Sequence, residues 1–293
     1  MGDILVTGSN GFIGKNILEV LTKEHHIIGI GRREESRNIC DQYIRWDLGH
    51  EAVPDMIKSE KIDYIIHAAA RLDKDDMSDG LVYTNCVGTF NIVKFAKEFK
   101  VKGIIYLSSL PVIGYSHSVP INEMAKIQPP TMYHATKASG ELIVNQATHF
   151  GVKVAILRIP SPVGPGMPVN TIVPVFVQRA LRGENIVLQG EGKRKQNYLD
   201  VRDIGSAVKR IIEIGGIDGI FNIGAKNILS NKELADLCVD CLNSKSRITL
   251  SGTEDPFEEV DWTTDDSKLR NLIGDYQKYT MASSIIDIAS KLE

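Results

Sequence analysis

The sequence predicts a doubly wound α/β fold, a parallel sheet with helices on both faces, followed by a smaller C-terminal lobe. Short β-rich runs alternate with amphipathic stretches through the first half of the chain. The runs Ile4-Leu5-Val6-Thr7 and Ile27-Ile28-Gly29-Ile30 are continuously apolar, the pattern of strands covered on both faces. A glycine-rich turn joins the first run to the first helical stretch, and right-handed strand–helix–strand connections then wind the sheet.

Ile4 to Thr7 reads as the first strand, Phe12 to Thr22 as the first helix and Ile27 to Ile30 as the second strand. Further strands are expected at Tyr43 to Trp46, Tyr64 to His67, Gly103 to Leu107 and Val152 to Leu157. Helical patterns span Leu81 to Phe99 and Tyr133 to Phe150. Beyond Arg158 the alternation loosens, and Ile159 to Pro168 reads as a Pro- and Gly-rich connection. Ile172 to Arg182 and Val201 to Ile214 then read as helices, and Ile186 to Leu188 and Ile220 to Ile223 as strands. Residues 1–166 with 196–224 are assigned to the larger domain. Residues 167–195 with 225–293 are assigned to a smaller lobe over the carboxyl ends of the strands, where ligands bind in such folds.

The 34 Lys and Arg and 37 Asp and Glu are interspersed and give a net charge of −3, which argues against a nucleic-acid partner. No run of roughly 18 apolar residues predicts a membrane span, and Met1-Gly2-Asp3 before Ile4-Leu5-Val6 does not form a secretory signal. The cysteines Cys40, Cys86, Cys238 and Cys241 are expected as reduced thiols of a cytoplasmic protein. Cys238-x-x-Cys241 lies in the helical pattern Asn231 to Asn243 with no second pair, so it reads as helix packing, and no metal is expected.

The turn Gly8-Ser9-Asn10-Gly11-Phe12-Ile13-Gly14 follows a strand and opens a helix. Its early glycines let backbone approach a pyrophosphate, the helix N-terminus offers free N–H groups, and Gly14 permits close helix–sheet packing. That context predicts a Rossmann dinucleotide site.

The spacing Gly8-x-x-Gly11-x-x-Gly14 resembles the extended branch of the short-chain dehydrogenase/reductase superfamily, the NAD-dependent epimerase/dehydratase family. The resemblance runs along nearly the whole chain. It implies that Gly8, Asn10, Gly11, Phe12, Ile13 and Gly14 hold the cofactor pyrophosphate. It further implies that Asp47-Leu48 contacts the adenine, that Ala68, Ala69 and Ala70 lie beneath the cofactor, and that Asn85, Ser108 and Pro160 contribute contacts. His67 reads as a satisfied core histidine. An acid ending the second strand would bind the ribose 2′-hydroxyl of NAD, but Gly31 stands there, followed by Arg32 and Arg33. A guanidinium suits a 2′-phosphate, so NADP is favoured over NAD.

Tyr133 and Lys137, four apart in a helical stretch, share one helix face. An ammonium beside a phenol favours the phenolate, and a tuned tyrosine can move a proton at a carbinol or carbonyl oxygen. The pair falls on the family signature, which implies that Tyr133 is the acid/base and that Lys137 also binds the nicotinamide ribose. By its offset from Gly114, Ser109 matches the catalytic serine, with Ser108 as its near competitor.

Further matches are Asn85-Cys86-Val87-Gly88-Thr89, Leu157-Arg158, Gly164-Pro165-Gly166 and Gln196 to Asp203. Family 4,6-dehydratases carry an Asp-Glu pair where this chain has Leu110-Pro111, so dehydration is disfavoured. Gln196 stands where many sugar-nucleotide epimerases have a diphosphate-gripping arginine, and Ser161 replaces an asparagine. Lys193, Arg194, Lys195 and Arg202 are candidates to compensate. The substrate residues expected are Ser109, Ser161, Gln196 and Arg202.

These features predict C4 redox on a nucleotide sugar, as 4-epimerase or 4-ketoreductase. A reductase of a non-nucleotide carbonyl compound and a non-catalytic dinucleotide sensor are the alternatives. The resemblance also implies a homodimer joined through Leu81 to Phe99 and Tyr133 to Phe150.

Overall fold

The computed structural model describes residues 2–36, 38–58, 60–73, 75–115 and 118–292. The chain begins β1 (Asp3–Thr7), α1 (Phe12–Leu21), β2 (His26–Gly31), β3 (Gln42–Arg45), α2 (Asp55–Lys58) and β4 (Tyr64–His67). It continues through α3 (Asp79–Val82), a π-helical turn (Tyr83–Val87), α4 (Gly88–Phe99), β5 (Gly103–Ser109), α5 (Met132–Asn145) and β6 (Lys153–Ile159). Next come β7 (Ser161–Val163), α6 (Ile172–Arg182), β8 (Ile186–Leu188), β9 (Lys195–Asp200), α7 (Val201–Glu213) and β10 (Gly219–Asn222). The last elements are β11 (Ile228–Ser230), α8 (Asn231–Cys241), β12 (Ile248–Leu250), α9 (Ser267–Ile273) and α10 (Met281–Ala289).

Seven strands form the parallel central sheet in the order β10-β6-β5-β4-β1-β2-β3. The order reverses between β1 and β4, so the crevice for a ligand opens at their carboxyl ends. Alternate side chains serve opposite layers. Ile4, Val6, Ile66, Leu107 and Leu157 pack with α1 and α7, while Leu5, Ile65, Ile104, Tyr106 and Ile156 pack with Trp46, Ile92, Phe95 and Val144. Continuous apolar strands follow directly from this two-sided burial.

A separate core joins Val163, Phe176, Val177, Ile186, Leu188, Tyr198, Leu234, Cys238 and Ile285. It interleaves with the main domain across the expected boundaries. The segment at β9, expected with the larger domain, pairs parallel with β7 and antiparallel with β11 in a small sheet. Leu269, Ile273 and Tyr276, expected in the smaller lobe, pack on the main sheet instead. Each goes where its apolar face finds cover. Cys238 is buried in the smaller core and Cys241 packs beside it, so the pair serves helix packing. Among the described residues no helix is long and apolar enough to cross a membrane.

One buried charge pair pins α5 to the sheet. Arg158 at the end of β6 donates through Nε to Glu141 Oε1 (3.0 Å) and through Nη2 to Oε2 (2.8 Å). Ser108, paired with Arg158 in register, donates to the same carboxylate at 2.5 Å. Both charged side chains are 2% exposed. Such a pair adds little net stability, but removing one partner strands the other charge. Arg158→Met is therefore expected to cost about 3–5 kcal/mol in denaturant unfolding at neutral pH. The double variant Arg158→Met/Glu141→Leu should recover most of that loss, whereas additive losses would rule out the coupling.

Candidate active site

The N-terminus of α5 is set by Thr131, whose hydroxyl accepts from His134 N at 3.4 Å. From there Tyr133, Lys137 and Glu141 recur every fourth residue, a stripe facing the sheet. Lys137 is 2% exposed, with Nζ 4.1 Å from the centroid of the Tyr106 ring on β5. Tyr106 Oη donates to Lys137 O at 3.3 Å. The helix can come this close because residue 140 is glycine: a Cβ there would lie 2.1 Å from Tyr106 Oη.

Asn85 sits in the π-helical turn and is buried. Its Oδ1 accepts from Arg71 N (2.8 Å), and its Nδ2 donates to Arg71 O (3.0 Å) and Thr136 Oγ1 (2.9 Å). One side chain thereby ties the loop after β4 to α5. His67 is fully buried, bonded to Thr7 Oγ1 at 2.7 Å and Thr89 Oγ1 at 3.0 Å. Burial first, then the Lys137 charge, lowers its pKa to about 3. It is a neutral core histidine, as expected.

The electrostatics of the pair differ from the sequence expectation. Burial pushes Tyr133 up to about 12, where a neighbouring ammonium was expected to lower it. Burial likewise brings Lys137 down to about 7, against the opposing pull of Glu141 and Cys86. The cation that would favour the phenolate is itself disfavoured by the same desolvation. Tyr133 is thus a neutral phenol.

The two adjacent serines separate by strand alternation. The Ser108 hydroxyl is committed to Glu141 in the buried pair, so that side chain is not a cofactor or substrate contact. Ser109, half-buried at the strand end, faces the other way and is the candidate beside Tyr133.

The glycine turn fits a dinucleotide. Gly8 has φ +68°, and a Cβ there would stand 2.7 Å from Ala69 N; at Gly14 it would stand 2.2 Å from Gly8 O. The turn can lie this close to the loop after β4 only without those side chains. Gly8, Asn10 and Gly11 at the head of α1, with Ala68, Ala69 and Ala70 beside them, can therefore hold a pyrophosphate. Phe12 and Ile13 pack against the core. Leu48 is likewise buried, while the Asp47 carboxylate accepts from Gly49 N at 3.2 Å in the turn after β3. Arg32 and Arg33 are exposed after β2.

A pocket of about 180 Å³ is lined by Pro111, Tyr115, His134, Pro160, Ser161, Arg194, Gln196 and Trp262. Pro160, expected as a cofactor contact, lines this pocket next to Ser161. The Gln196 amide, oriented by its neighbours, donates to Ser161 Oγ at 3.0 Å and accepts from Arg194 Nε and Nη2 at 3.1 Å each. Arg194 supplies the guanidinium that position 196 lacks, and it stacks on Phe257 at 5.3 Å. Arg202 is not brought to this pocket, in contrast to expectation. It chelates Asp200 through Nε and Nη2 (2.8 Å each), donates to Asp287 (2.6 Å) and stacks on Tyr279 (3.6 Å). There it ties α7 to α10 and lines a larger cavity, about 1350 Å³, between α1 and α7. Proximity to Asp200 in sequence decides this placement.

Sequence reasoning missed Tyr106, Glu141, His134, Tyr115 and Trp262. Glu141 had a signal, continuing the four-residue spacing of Tyr133 and Lys137. Trp262 is brought from far along the chain and had none.

A model of the NAD dependent epimerase/dehydratase family matches residues 4–224. The chain belongs to that family. It is an enzyme of the extended short-chain dehydrogenase/reductase type. A dTDP-D-glucose 4,6-dehydratase of Dictyostelium discoideum is 30% identical over 261 residues, which cover 79% of this chain and 60% of that protein. A dTDP-glucose 4,6-dehydratase of Streptomyces niveus is 24% identical over 97% of this chain and 90% of its own. Among solved structures, UDP-N-acetylglucosamine 4-epimerase from Bacillus cereus aligns with TM-score 0.85 at 23% identity, covering 99% of this chain and 96% of that one. UDP-glucuronic acid 4-epimerase from Bacillus cereus, solved with UDP-glucuronic acid and NAD, aligns with TM-score 0.83 at 21% identity, covering 99% and 98%. At these identities the structures establish the shared fold.

Burying Lys137 has a measurable consequence. Its folded pKa is depressed, so the penalty is full below about pH 7, where the folded protein must bury the charge. The penalty fades towards the unfolded value of about 10.4, where both states are neutral. Lys137→Met is expected to raise the melting temperature at pH 6.5, with a gain that shrinks steadily as pH rises to about 10. A pH-independent difference would show that Lys137 is not depressed.

Proposed function

We propose that this enzyme performs redox chemistry at C4 of a nucleotide-linked sugar, as a 4-ketoreductase or 4-epimerase, with Tyr133 as acid/base. The reading is carried by one arrangement: a phenol and a buried lysine on successive turns of α5, at the carboxyl edge where β5 ends in Ser109. When bound, the nicotinamide takes or gives the hydride at the sugar carbon. Tyr133, neutral because burial holds it near 12, donates its proton to the carbonyl oxygen as that carbon is reduced. Ser109 bonds the same oxygen. Lys137 in its charged form stabilises the phenolate left behind, and in oxidation the phenolate takes the proton back. Ser161, Gln196 and Arg194 hold the substrate beyond the reacting carbon. The larger domain serves the dinucleotide, and the smaller core around Val163, Tyr198, Leu234 and Ile285, with Ser161 and Gln196 on its strands, serves the substrate.

The cofactor reading favours NADP. Gly31 offers no carboxylate to repel a 2′-phosphate, and Arg32 and Arg33 offer cations to bind one. The neutral phenol, already a proton donor, favours the reductive direction. Loss of water is disfavoured although relatives are dehydratases, because Leu110 is buried and Pro111 lines the pocket where an acid and base would be needed. A second reading, reduction of a non-nucleotide carbonyl compound, is favoured by Gln196 engaging Ser161 and Arg194 rather than presenting a cation of its own.

A homodimer is supported by apolar side chains left exposed along α3 to α5: Val82 at 45%, Phe90 at 52%, Leu142 at 67% and Phe150 at 47%. The four free cysteines suit a cytoplasmic enzyme.

Tyr133→Phe is expected to lower kcat by about 100-fold or more while leaving dinucleotide affinity unchanged. A variant with near-normal turnover would remove Tyr133 from the chemistry. A panel of UDP-, dTDP-, GDP- and CDP-linked sugars and 4-keto sugars, followed by dinucleotide absorbance, separates the activities. A 4-ketoreductase consumes reduced dinucleotide stoichiometrically, and an epimerase converts sugar with no net consumption. Failure to bind any nucleotide sugar favours the second reading. Leu142→Glu should halve the mass in sedimentation; an unchanged mass would count against this dimer face.

A further inference from the structure

We propose that Tyr43 sets the cofactor preference of this chain, filling the volume an acidic side chain at position 31 would need and holding the turn that carries Arg32 and Arg33. The proposal deepens the NADP reading and rests on it.

Tyr43 lies on β3, next to β2 in the sheet, with Gly29 as its register partner. Its ring reaches along β2 towards Gly31. A Cβ on Gly31 would stand 2.7 Å from Tyr43 Oη and 3.5 Å from Tyr43 Cε2. At the nearer distance something must shift; the atom is the far end of the Tyr43 side chain, so a side chain at 31 makes the phenol swing away, and what resists this is its pair of hydrogen bonds. An aspartate there, the residue that would bind a ribose 2′-hydroxyl, meets that oxygen before its carboxylate begins.

The phenol is also held in place. Tyr43 Oη donates to Arg33 O at 3.0 Å and accepts from Asn10 Nδ2 at 3.1 Å. Asn10 belongs to the glycine turn. Asn38 extends the link, donating from Nδ2 to Ser9 O at 2.9 Å and to Asn10 Oδ1 at 3.3 Å. The glycine turn, the segment after β2 and the edge strand β3 are therefore joined through one phenol. Burial pushes this phenol's pKa up, so it brings no negative charge towards a 2′-phosphate. Its bond to Arg33 O fixes the backbone from which Arg32 and Arg33 project, so fewer arrangements are lost when a phosphate binds.

The test is titration of the full chain with NADPH and with NADH, read by nicotinamide fluorescence, with no substrate needed. Melting temperatures confirm that each variant folds. Wild type is expected to bind NADPH at least about tenfold tighter than NADH, the worth of one charge-assisted hydrogen bond. Tyr43→Phe, which keeps the ring but loses the anchor, should weaken NADPH about three- to tenfold and leave NADH unchanged. Gly31→Asp alone should weaken NADPH without tightening NADH, because the phenol still occupies the site. Gly31→Asp/Tyr43→Ala should tighten NADH about tenfold over Gly31→Asp alone. If Gly31→Asp gains NADH affinity equally well with Tyr43 present, the exclusion is wrong. If Tyr43→Phe leaves the NADPH-to-NADH ratio unchanged, the anchoring is wrong. Equal binding of both dinucleotides by wild type would instead sink the NADP reading, while the pair of Gly31→Asp variants would still judge whether Tyr43 blocks position 31.

Discussion

The active site depends on α5 lying against β5 and β6 with three polar side chains turned inward. Tyr133, Lys137 and Glu141 lie on one face, and each meets a different partner: desolvation, an aromatic ring, and an ion pair with Arg158. Rotating the helix would expose or unpair two charges at once. Sliding it would separate Glu141 from both Arg158 and Ser108. The buried salt bridge is a poor source of net stability but a strong determinant of registry. That registry keeps the phenol at the carboxyl edge of the sheet.

The same packing sets the chemistry. A lysine over the Tyr106 ring, cut off from water, loses much of its preference for the charged state. Tyr133, half-buried beside it, keeps its proton. Together they place a neutral phenol next to a lysine whose charge is weakly held, the arrangement the proposed proton transfer uses. Asn85 and His67 complete the support without joining the chemistry. Asn85 fixes the loop after β4 to α5, and His67 bridges Thr7 and Thr89 beneath it. Both are buried polar groups with their bonding capacity used, and so they rigidify rather than react.

Most of this was legible in the sequence because it is local or periodic. Continuous apolar runs marked the central strands, with Tyr64–His67 found at the expected limits, as was Ile186–Leu188 in the smaller lobe. The four-residue spacing in α5 and the strand–turn–helix setting of Gly8 to Gly14 marked the candidate site. What was lost is non-local or depends on burial. Ser161–Val163 was hidden because prolines and glycines around it suppress a strand pattern. The direction of the Tyr133 shift was misjudged because spacing shows a neighbouring cation but not how far both groups are removed from water. Arg202 was expected beside Gln196, yet two carboxylates at the start of α7 and on α10 hold it away from that pocket.

Positions 31 and 196 share a lesson about reading substitutions one at a time. Gly31 looks like the simple loss of an acid, but the space is filled by a phenol from the neighbouring strand. Gln196 looks like the loss of a diphosphate clamp, but two residues earlier Arg194 brings its guanidinium to the same amide. Arg194 lies just before β9, close enough for its guanidinium to reach the Gln196 amide. At position 31 a neutral phenol takes the place of a charge, and at position 196 the charge is supplied from a neighbouring residue. The guanidinium is held on one side by the Gln196 amide and on the other by Phe257, which packs through Tyr115 to Trp262, so its position is set by side chains from three separate segments.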